Sequence, residues 1–210
     1  MCWDEKTSII TFVIGTIINL AVMASFQTEI IYTICIIWQW VLMMQLSEYL
    51  IWKDQNCGSL NNIGTKSAML FNLTQPIIIF LVLIMVTQSS QNLKIISSIS
   101  IIGYISYIMI NLNKNKEYNC VKPLNDCHHL NLDWWNDFNF GGTIYFITIA
   151  LIVLCLANNI KISIFSLLYI FIAMIISQKL YSCGAPSMWC WLVVPFPIAL
   201  GLFYKFYIQK

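Results

Sequence analysis

Seven apolar stretches, each about as long as a membrane-crossing helix, occupy most of this 210-residue chain. A helix that crosses the hydrocarbon core of a bilayer needs about 20 mostly apolar residues. Charged residues make up only 10% of the chain, whereas soluble domains are roughly a quarter charged. The sequence therefore predicts an all-α, polytopic integral membrane protein with seven transmembrane helices. The predicted spans are residues 8–26, 30–52, 67–87, 94–112, 142–158, 159–182 and 188–207.

One break and one long gap decide the predicted organisation. The fifth and sixth spans are separated only by Asn158, Asn159 and Lys161, and if these lie within one helix the count drops to six. The gap 113–141 contains cysteines, histidines and a Trp-Trp pair, which predicts a folded cap outside the membrane rather than a linker. The whole chain, 1–210, is therefore predicted to be one transmembrane domain with an extracytoplasmic cap loop.

The loop cysteines set the predicted orientation. Lys-bearing short turns near Glu29, Lys94 and Lys161 favour that side as cytoplasmic, although the opposite side holds more lysines in total. Six cysteines lie on or next to the amino-terminal side, and an even number of loop cysteines suits disulfides in an oxidising compartment. We therefore predict the amino terminus outside and the carboxyl terminus in the cytoplasm. The disulfide candidates, whose pairing the sequence does not select, are Cys2, Cys57, Cys120, Cys127, Cys183 and Cys190.

Four polar side chains near the outer ends of spans two and three form the first candidate site. Gln45 and Glu48 share one helix face, as do Asn72 and Gln75. If the third helix begins near Ser67, the two pairs match in depth. An ionisable group inside a span is a functional candidate by default, and Glu48 is the acid within a predicted span. The alternative is that these groups only bond two helices together.

Deeper polar residues and prolines add further candidates. Asn19 and Gln39 fall near the membrane midplane and are predicted to pair across the first two helices. Prolines free backbone carbonyls and bend helices. The predicted kinks are at Pro76, Pro195 and Pro197.

The sequence predicts neither a metal nor a cofactor. His128 and His129 beside Cys127 resemble metal ligands, yet the cysteine spacing matches no zinc pattern. There is no phosphate-binding loop and no nucleophile elbow. A net charge of +2 gives no reason to expect nucleic acid. The predicted partners are the lipid bilayer and a small-molecule or lipid ligand; the oligomeric state is left open.

Short motifs distributed along the chain carry a resemblance to a known group. They are Met1-Cys2-Trp3, Gln45-x-x-Glu48-x-x-x-Trp52, Gln75-Pro76, and His129-Leu130 leading to Trp134. With them the chain resembles an uncharacterised group of seven-helix membrane proteins of algae and of the large DNA viruses of protists. The resemblance implies seven helices and a host-cell or virion membrane. It implies no activity.

A second likeness concerns transport. Small sugar transporters repeat three helices around a linker helix and carry Pro-Gln turns, whereas this chain reads Gln75-Pro76 in the reverse order. The sequence favours a non-enzymatic protein with an outward-facing polar pocket, in a receptor-like, scaffolding or virion-associated role. The alternatives are a small-solute transporter or channel with a three-plus-one-plus-three helix plan, and a membrane-embedded enzyme.

Overall fold

The computed structural model describes residues 4–112, 117–123, 129–132, 134–135, 138, 140–157, 159–180, 192 and 194–208. Helices dominate this part of the chain, and its one β-feature is an isolated bridge between Pro123 and Leu130. A π-helical turn, Tyr204–Ile208, follows the last α-helix. The α-helices are α1 Glu5–Ser25, α2 Glu29–Lys53, α3 Ser59–Leu73, α4 Gln75–Val86, α5 Gln91–Asn111, α6 Gly141–Leu156, α7 Ile160–Leu180 and α8 Phe196–Phe203.

The helix lengths confirm the all-α, multi-span class but give fewer full-length spans than predicted. In the described part of the chain, α1, α2, α5 and α7 are long and apolar enough to cross a membrane. The count becomes five if α3 and α4, which meet at a bend of 47°, form one span. The 16 residues of α6 are apolar but extend only roughly 24 Å, less than a hydrocarbon core of about 30 Å. The final stretch, Phe196–Ile208, is also apolar and short.

Large apolar side chains cover the outside of the helices. Ile17 is 60% exposed, Met85 75% and Ile110 81%. Contiguous apolar surface on this scale is rare in proteins that face water. These outward faces are therefore compatible with a membrane-embedded protein.

Helix α2 is the centre of the bundle. In its most apolar stretch 56% of the residues are buried, against 28% or less in α1, α5 and α7. It packs along α1, α3, α4 and α8. Residues that α2 presents to its neighbours are therefore the ones best placed to build an internal site.

Helix α3 begins at Ser59, eight residues before the predicted start near Ser67. The Asp54 carboxylate accepts hydrogen bonds from the backbone N–H groups of Leu60 and Asn61, at 3.2 and 3.3 Å. A carboxylate there satisfies otherwise unpaired donors and interacts favourably with the helix dipole. Apolar patterning misses this turn because its residues are polar, so the predicted boundary is wrong.

The bundle has two distinct ends. The short-turn end holds the connections 26–28, 87–90 and 157–159, and the cap end holds the connection 54–58. Asn19 of α1 bonds Cys35 of α2, and Thr16 bonds Gln39, so α1 runs antiparallel to α2 and begins at the cap end. Gly201 of α8 packs against Phe26 at the short-turn end. The beginning of α1 and the end of α8 therefore lie at opposite ends.

The predicted break between α6 and α7 and the prolines at the start of α8 both lie at helix ends. The Asn159 side chain accepts hydrogen bonds from the N–H groups of Lys161 and Ile162, so it caps α7 and separates it from α6. The bend predicted at Pro195 and Pro197 stays a prediction, because residues 181–191 and 193, which precede them, lie outside the described part of the chain. Pro195 precedes the first residue of α8 and Pro197 lies in its first turn, where a missing N–H leaves no hydrogen bond unmade.

Candidate functional site

Gln45 and Glu48 form a buried pair on the cap-end half of α2. Gln45 is 1% exposed and Glu48 0%. Gln45 Nε2 donates to Glu48 Oε2 at 2.6 Å. Their spacing of three residues places both on one helix face, as predicted from the sequence.

The register between α2 and the next two helices corrects the predicted depths. Ser67 Oγ bonds Ser47 Oγ at 2.9 Å, and Trp40 Nε1 donates to Thr74 Oγ1 at 3.1 Å. In this antiparallel register Asn72 lies roughly 4–5 Å deeper than Gln45, and Gln75 roughly 9 Å deeper. The predicted match in depth fails because it counted from a helix start that lies too far along the chain.

The four predicted pocket residues therefore occupy successive depths rather than two level pairs. Proceeding from the cap end they follow the order Glu48, Gln45, Asn72 and Gln75, and all four are buried. We call this set the polar column. It descends roughly 13–14 Å into the bundle.

Part of the cap enters the bundle beside the polar column. Val121 is bonded to Asn61, and the fully buried Trp134 donates from Nε1 to Asn72 Oδ1 at 3.4 Å. Asn72 lies eleven residues beyond Asn61 on α3, which corresponds to roughly 16 Å of depth. The described residues from 129 to 138, which we call the plug, therefore reach deeper into the bundle than Val121 does.

The plug can lie at membrane depth because its side chains are covered by protein. Leu130, Leu132, Trp134 and Phe138 are all buried, and each belongs to the core built around α2. Irregular backbone is tolerated at membrane depth only where protein or a water-filled cavity surrounds it. The predicted cap loop is thus partly an internal element.

The foot of the polar column lies at the break between α3 and α4. Pro76 falls in the first turn of α4, and it lacks the N–H that a continuous helix would require. Tyr104 of α5 donates its hydroxyl to the Leu73 carbonyl at 2.9 Å, and the Tyr145 hydroxyl of α6 bonds Gln75 Oε1. The break is therefore held by groups from two further helices.

A hydrogen-bonded clamp and a disulfide hold the outer part of the cap. Asn61 Nδ2 donates to the Val121 carbonyl at 2.9 Å, and Asn61 Oδ1 accepts from the Val121 N–H at 3.0 Å. Cys57 and Cys120, separated by 63 residues, form a disulfide. This bridge confirms that the loop cysteines include a disulfide pair.

The remaining cysteines and histidines have mixed outcomes. Cys35 and Cys155 are free thiols within helices. Cys2, Cys127, Cys183, Cys190 and His128 lie outside the described residues. His129 is buried in the plug. Among the residues that the structure describes, no three His, Cys, Asp or Glu side chains are grouped closely enough to hold a metal.

The midplane pair lies level with the foot of the polar column. Asn19 Nδ2 donates to Gln39 Oε1 at 3.2 Å and to the Cys35 carbonyl at 2.8 Å. Gln39 Nε2 donates to Thr16 Oγ1 at 3.1 Å. These bonds tie α1 to α2, which is the structural role expected of such amides.

Two buried amide atoms in the polar column have no hydrogen-bond partner in the described part of the chain. They are Gln45 Oε1, an acceptor, and Gln75 Nε2, a donor. An unsatisfied buried polar atom costs about 1–3 kcal/mol. The column therefore contains one acceptor and one donor that no described protein group satisfies.

A separate cavity of about 170 Å³ opens at the short-turn end. It is bounded by α2, α4, α6, α7 and the start of α8, and Trp38 and Phe196 line it. Most of its lining is apolar. The polar column therefore does not continue through it.

Comparison of the chain with protein-family models, curated proteins and solved structures gives no match. The resemblance to seven-helix proteins of large DNA viruses accordingly stays a prediction. Sequence reasoning missed Asn61, Tyr104 and Tyr145. Asn61 lies in a polar stretch that resembled a loop, and the two tyrosines are indistinguishable in sequence from ordinary membrane-interface aromatics.

Proposed function

We propose that this chain is a non-enzymatic, receptor-like membrane protein that binds a small polar molecule beside its plug. The observation that carries the proposal is the pair of unpartnered buried atoms, Gln45 Oε1 and Gln75 Nε2. One accepts and the other donates, so a small neutral molecule with both kinds of group suits them best. Such a ligand would lie beside Asn72 and Trp134, where occupancy can affect how the plug sits in the bundle.

The position at which the polar column ends favours a binding site over a transport path. The polar column descends from the cap end to the level of Gln39, and the cavity on the other half is lined mainly by apolar side chains. A polar solute would lose its hydrogen-bonding partners on leaving the column. A small-solute transporter or channel would need a second polar layer there.

The membrane arrangement we propose is seven crossings with the amino terminus outside and the carboxyl terminus in the cytoplasm. Two observations support it: the two termini of the helical bundle lie at opposite ends, and the cap end carries the Cys57–Cys120 disulfide. An oxidised pair fits an extracytoplasmic or lumenal location. The resemblance described above suggests a host-cell or virion membrane.

Ligand-induced stabilisation of the purified protein tests the proposal. A panel of small neutral amides and polyols is screened by thermal unfolding in detergent, because a ligand at 100 times its Kd stabilises by about 2.7 kcal/mol. We expect at least one class to raise the Tm of the natural protein. Gln45→Met removes the unpartnered acceptor together with the donor to Glu48, so it should lower the Tm and abolish the response to the ligand.

The matched control is Gln39→Met, which removes an amide from the same helix but outside the column. It should lower the Tm and leave the ligand response intact. Glu48→Gln should likewise fold and weaken the response, whereas Glu48→Leu should damage both. If no solute shifts the Tm, or if the ligand shifts the Tm of Gln45→Met and Gln39→Met by the same amount, the polar column has a structural role only.

A further inference from the structure

The cavity at the short-turn end has the size of a site for one small molecule. Its volume is about 170 Å³, and in other proteins an apolar cavity of roughly 150 Å³ stays dry and binds benzene or xenon. Drug-sized ligands occupy pockets of about 300 Å³ or more. The cavity is therefore too small for a whole lipid and large enough for a compact apolar molecule.

The depth of the cavity places it within one leaflet. It extends from Glu29 at the short-turn end to Trp38, nine residues further along α2, which is roughly 13 Å. Half of a hydrocarbon core of about 30 Å is only slightly more. An occupant of this cavity therefore lies at the depth of the acyl chains.

The hydroxyl groups in the lining differ in availability. Thr33 donates to the Glu29 carbonyl at 2.8 Å, and Ser163 is within hydrogen-bonding distance of the Val153 and Asn159 carbonyls. The Thr87 hydroxyl accepts a hydrogen bond from Ser89 at 3.5 Å. The Ser166 hydroxyl, which also lines the cavity, makes no hydrogen bond with another residue in the described part of the chain. One hydroxyl is thus free to bind a polar group of an otherwise apolar ligand.

The cavity is also close to the lipid phase. Ile149 and Ile170 line both the cavity and a second hollow of about 580 Å³ between α6 and α7. That hollow is bordered by Ile147 and Leu168, both 54% exposed on the outside of the bundle. The cavity therefore adjoins, at Ile149 and Ile170, a hollow on the apolar outside of the bundle.

We propose that this cavity is a second binding site, specific for a small lipid-soluble molecule that carries a single hydroxyl group. Its apolar walls supply most of the binding free energy by burial. Ser166 binds the hydroxyl, and the ligand comes from the hydrocarbon phase rather than from water.

Photolabelling with a short-chain alcohol that carries a diazirine tests the site directly. The protein is reconstituted in phosphatidylcholine vesicles, and adducts are located by mass spectrometry. Labelling at Trp38 and Phe196 should saturate and be competed by the unlabelled alcohol. Labelling at the outward-facing Met85 should rise in proportion to the concentration of the probe. If labelling at Trp38 and Phe196 also rises without saturating, the proposal is wrong.

Substitutions at Ser166 test the chemistry of recognition. Ser166→Ala should raise the half-saturating concentration of the alcohol about two- to tenfold, the equivalent of one hydrogen bond. It should not change that of a diazirine-bearing alkane of the same length. Ser98→Ala removes a hydroxyl from α5, away from the cavity, and should leave both values unchanged.

A substitution that fills the cavity provides a second test of the site. Ser166→Leu occupies the space and should eliminate saturable labelling by both probes. If labelling at Trp38 still saturates in Ser166→Leu, the ligand binds elsewhere and the site is wrong. If Ser166→Ala weakens the binding of the alcohol and of the alkane equally, Ser166 does not recognise a hydroxyl group.

Discussion

At the scale of single residues, Gly64 determines how closely α3 approaches α2. A Cβ atom at this position would lie 2.8 Å from the Ser47 carbonyl oxygen and 2.8 Å from Ile51 Cγ1. Because the Ser47 oxygen belongs to the α2 backbone, it cannot move aside cheaply. We expect Gly64→Ala to destabilise the protein by about 1–3 kcal/mol, measured by thermal or denaturant unfolding in detergent.

Gly103 of α5 provides the matched control. A Cβ atom there meets nothing within 4 Å, and alanine favours a helix over glycine by roughly 1 kcal/mol. Gly103→Ala should therefore leave stability unchanged or raise it slightly. If alanine changes the stability equally at both positions, the close approach of α3 to α2 does not depend on Gly64.

A site residue could be predicted from the sequence when its polarity differs from that of its neighbours in the chain. Gln45, Glu48, Asn72 and Gln75 stand out because they are polar within apolar runs, where burial requires a partner. Asn61 makes two hydrogen bonds to the cap residue Val121, yet its neighbours in sequence are also polar and give no contrast. The partners of Asn72 and Gln75 come from more than sixty residues away, and no local pattern encodes such pairings.

At the scale of elements, the transition from the plug into α6 depends on Gly141. A Cβ atom at this position would lie 2.5 Å from Phe138 Cβ and 3.2 Å from the Trp135 ring. Both contacts are with the plug, so a methyl group should push the plug away from α6. We expect Gly141→Ala to destabilise the protein by about 1–3 kcal/mol and to increase hydrogen exchange at the N–H groups of Trp135 and Phe138.

The neighbouring glycine separates this contact from general effects of alanine. Gly142 has nothing within 4 Å of an added Cβ atom, so Gly142→Ala should leave both stability and exchange in the plug unchanged. Equal exchange in the two variants would contradict a role for Gly141 in seating the plug.

Elements were predictable where apolar length alone defines them. The cores of α1, α2, α5 and α7 coincide with predicted spans because hydrocarbon burial demands long apolar runs. The start of α3 was missed because side-chain capping by Asp54 creates it. The plug was missed because irregular backbone enters a membrane protein only when other helices cover it, and that depends on the assembled bundle.

At the scale of the whole molecule, the two halves of the bundle differ in chemistry. The cap-end half contains the polar column, closed over by Trp134 and by the Asn61 clamp. The other half contains a mainly apolar cavity that shares Ile149 and Ile170 with a hollow on the outside of the bundle. The two proposed ligands would therefore bind to chemically different halves of the bundle.

The orientation of the bundle can be tested with its cysteines. Cys57 and Cys120 lie at the cap end, while Cys155 lies near the end of α6 at the short-turn end. In a variant that keeps only Cys57 and Cys120, a membrane-impermeant thiol reagent should label intact cells once the disulfide is reduced. In a variant that keeps only Cys155, labelling should require permeabilisation, because the proposed orientation places this end of α6 on the cytoplasmic side. The reverse pattern would place the cap in the cytoplasm, where disulfides are rare, and would exclude an extracellular ligand for the polar column.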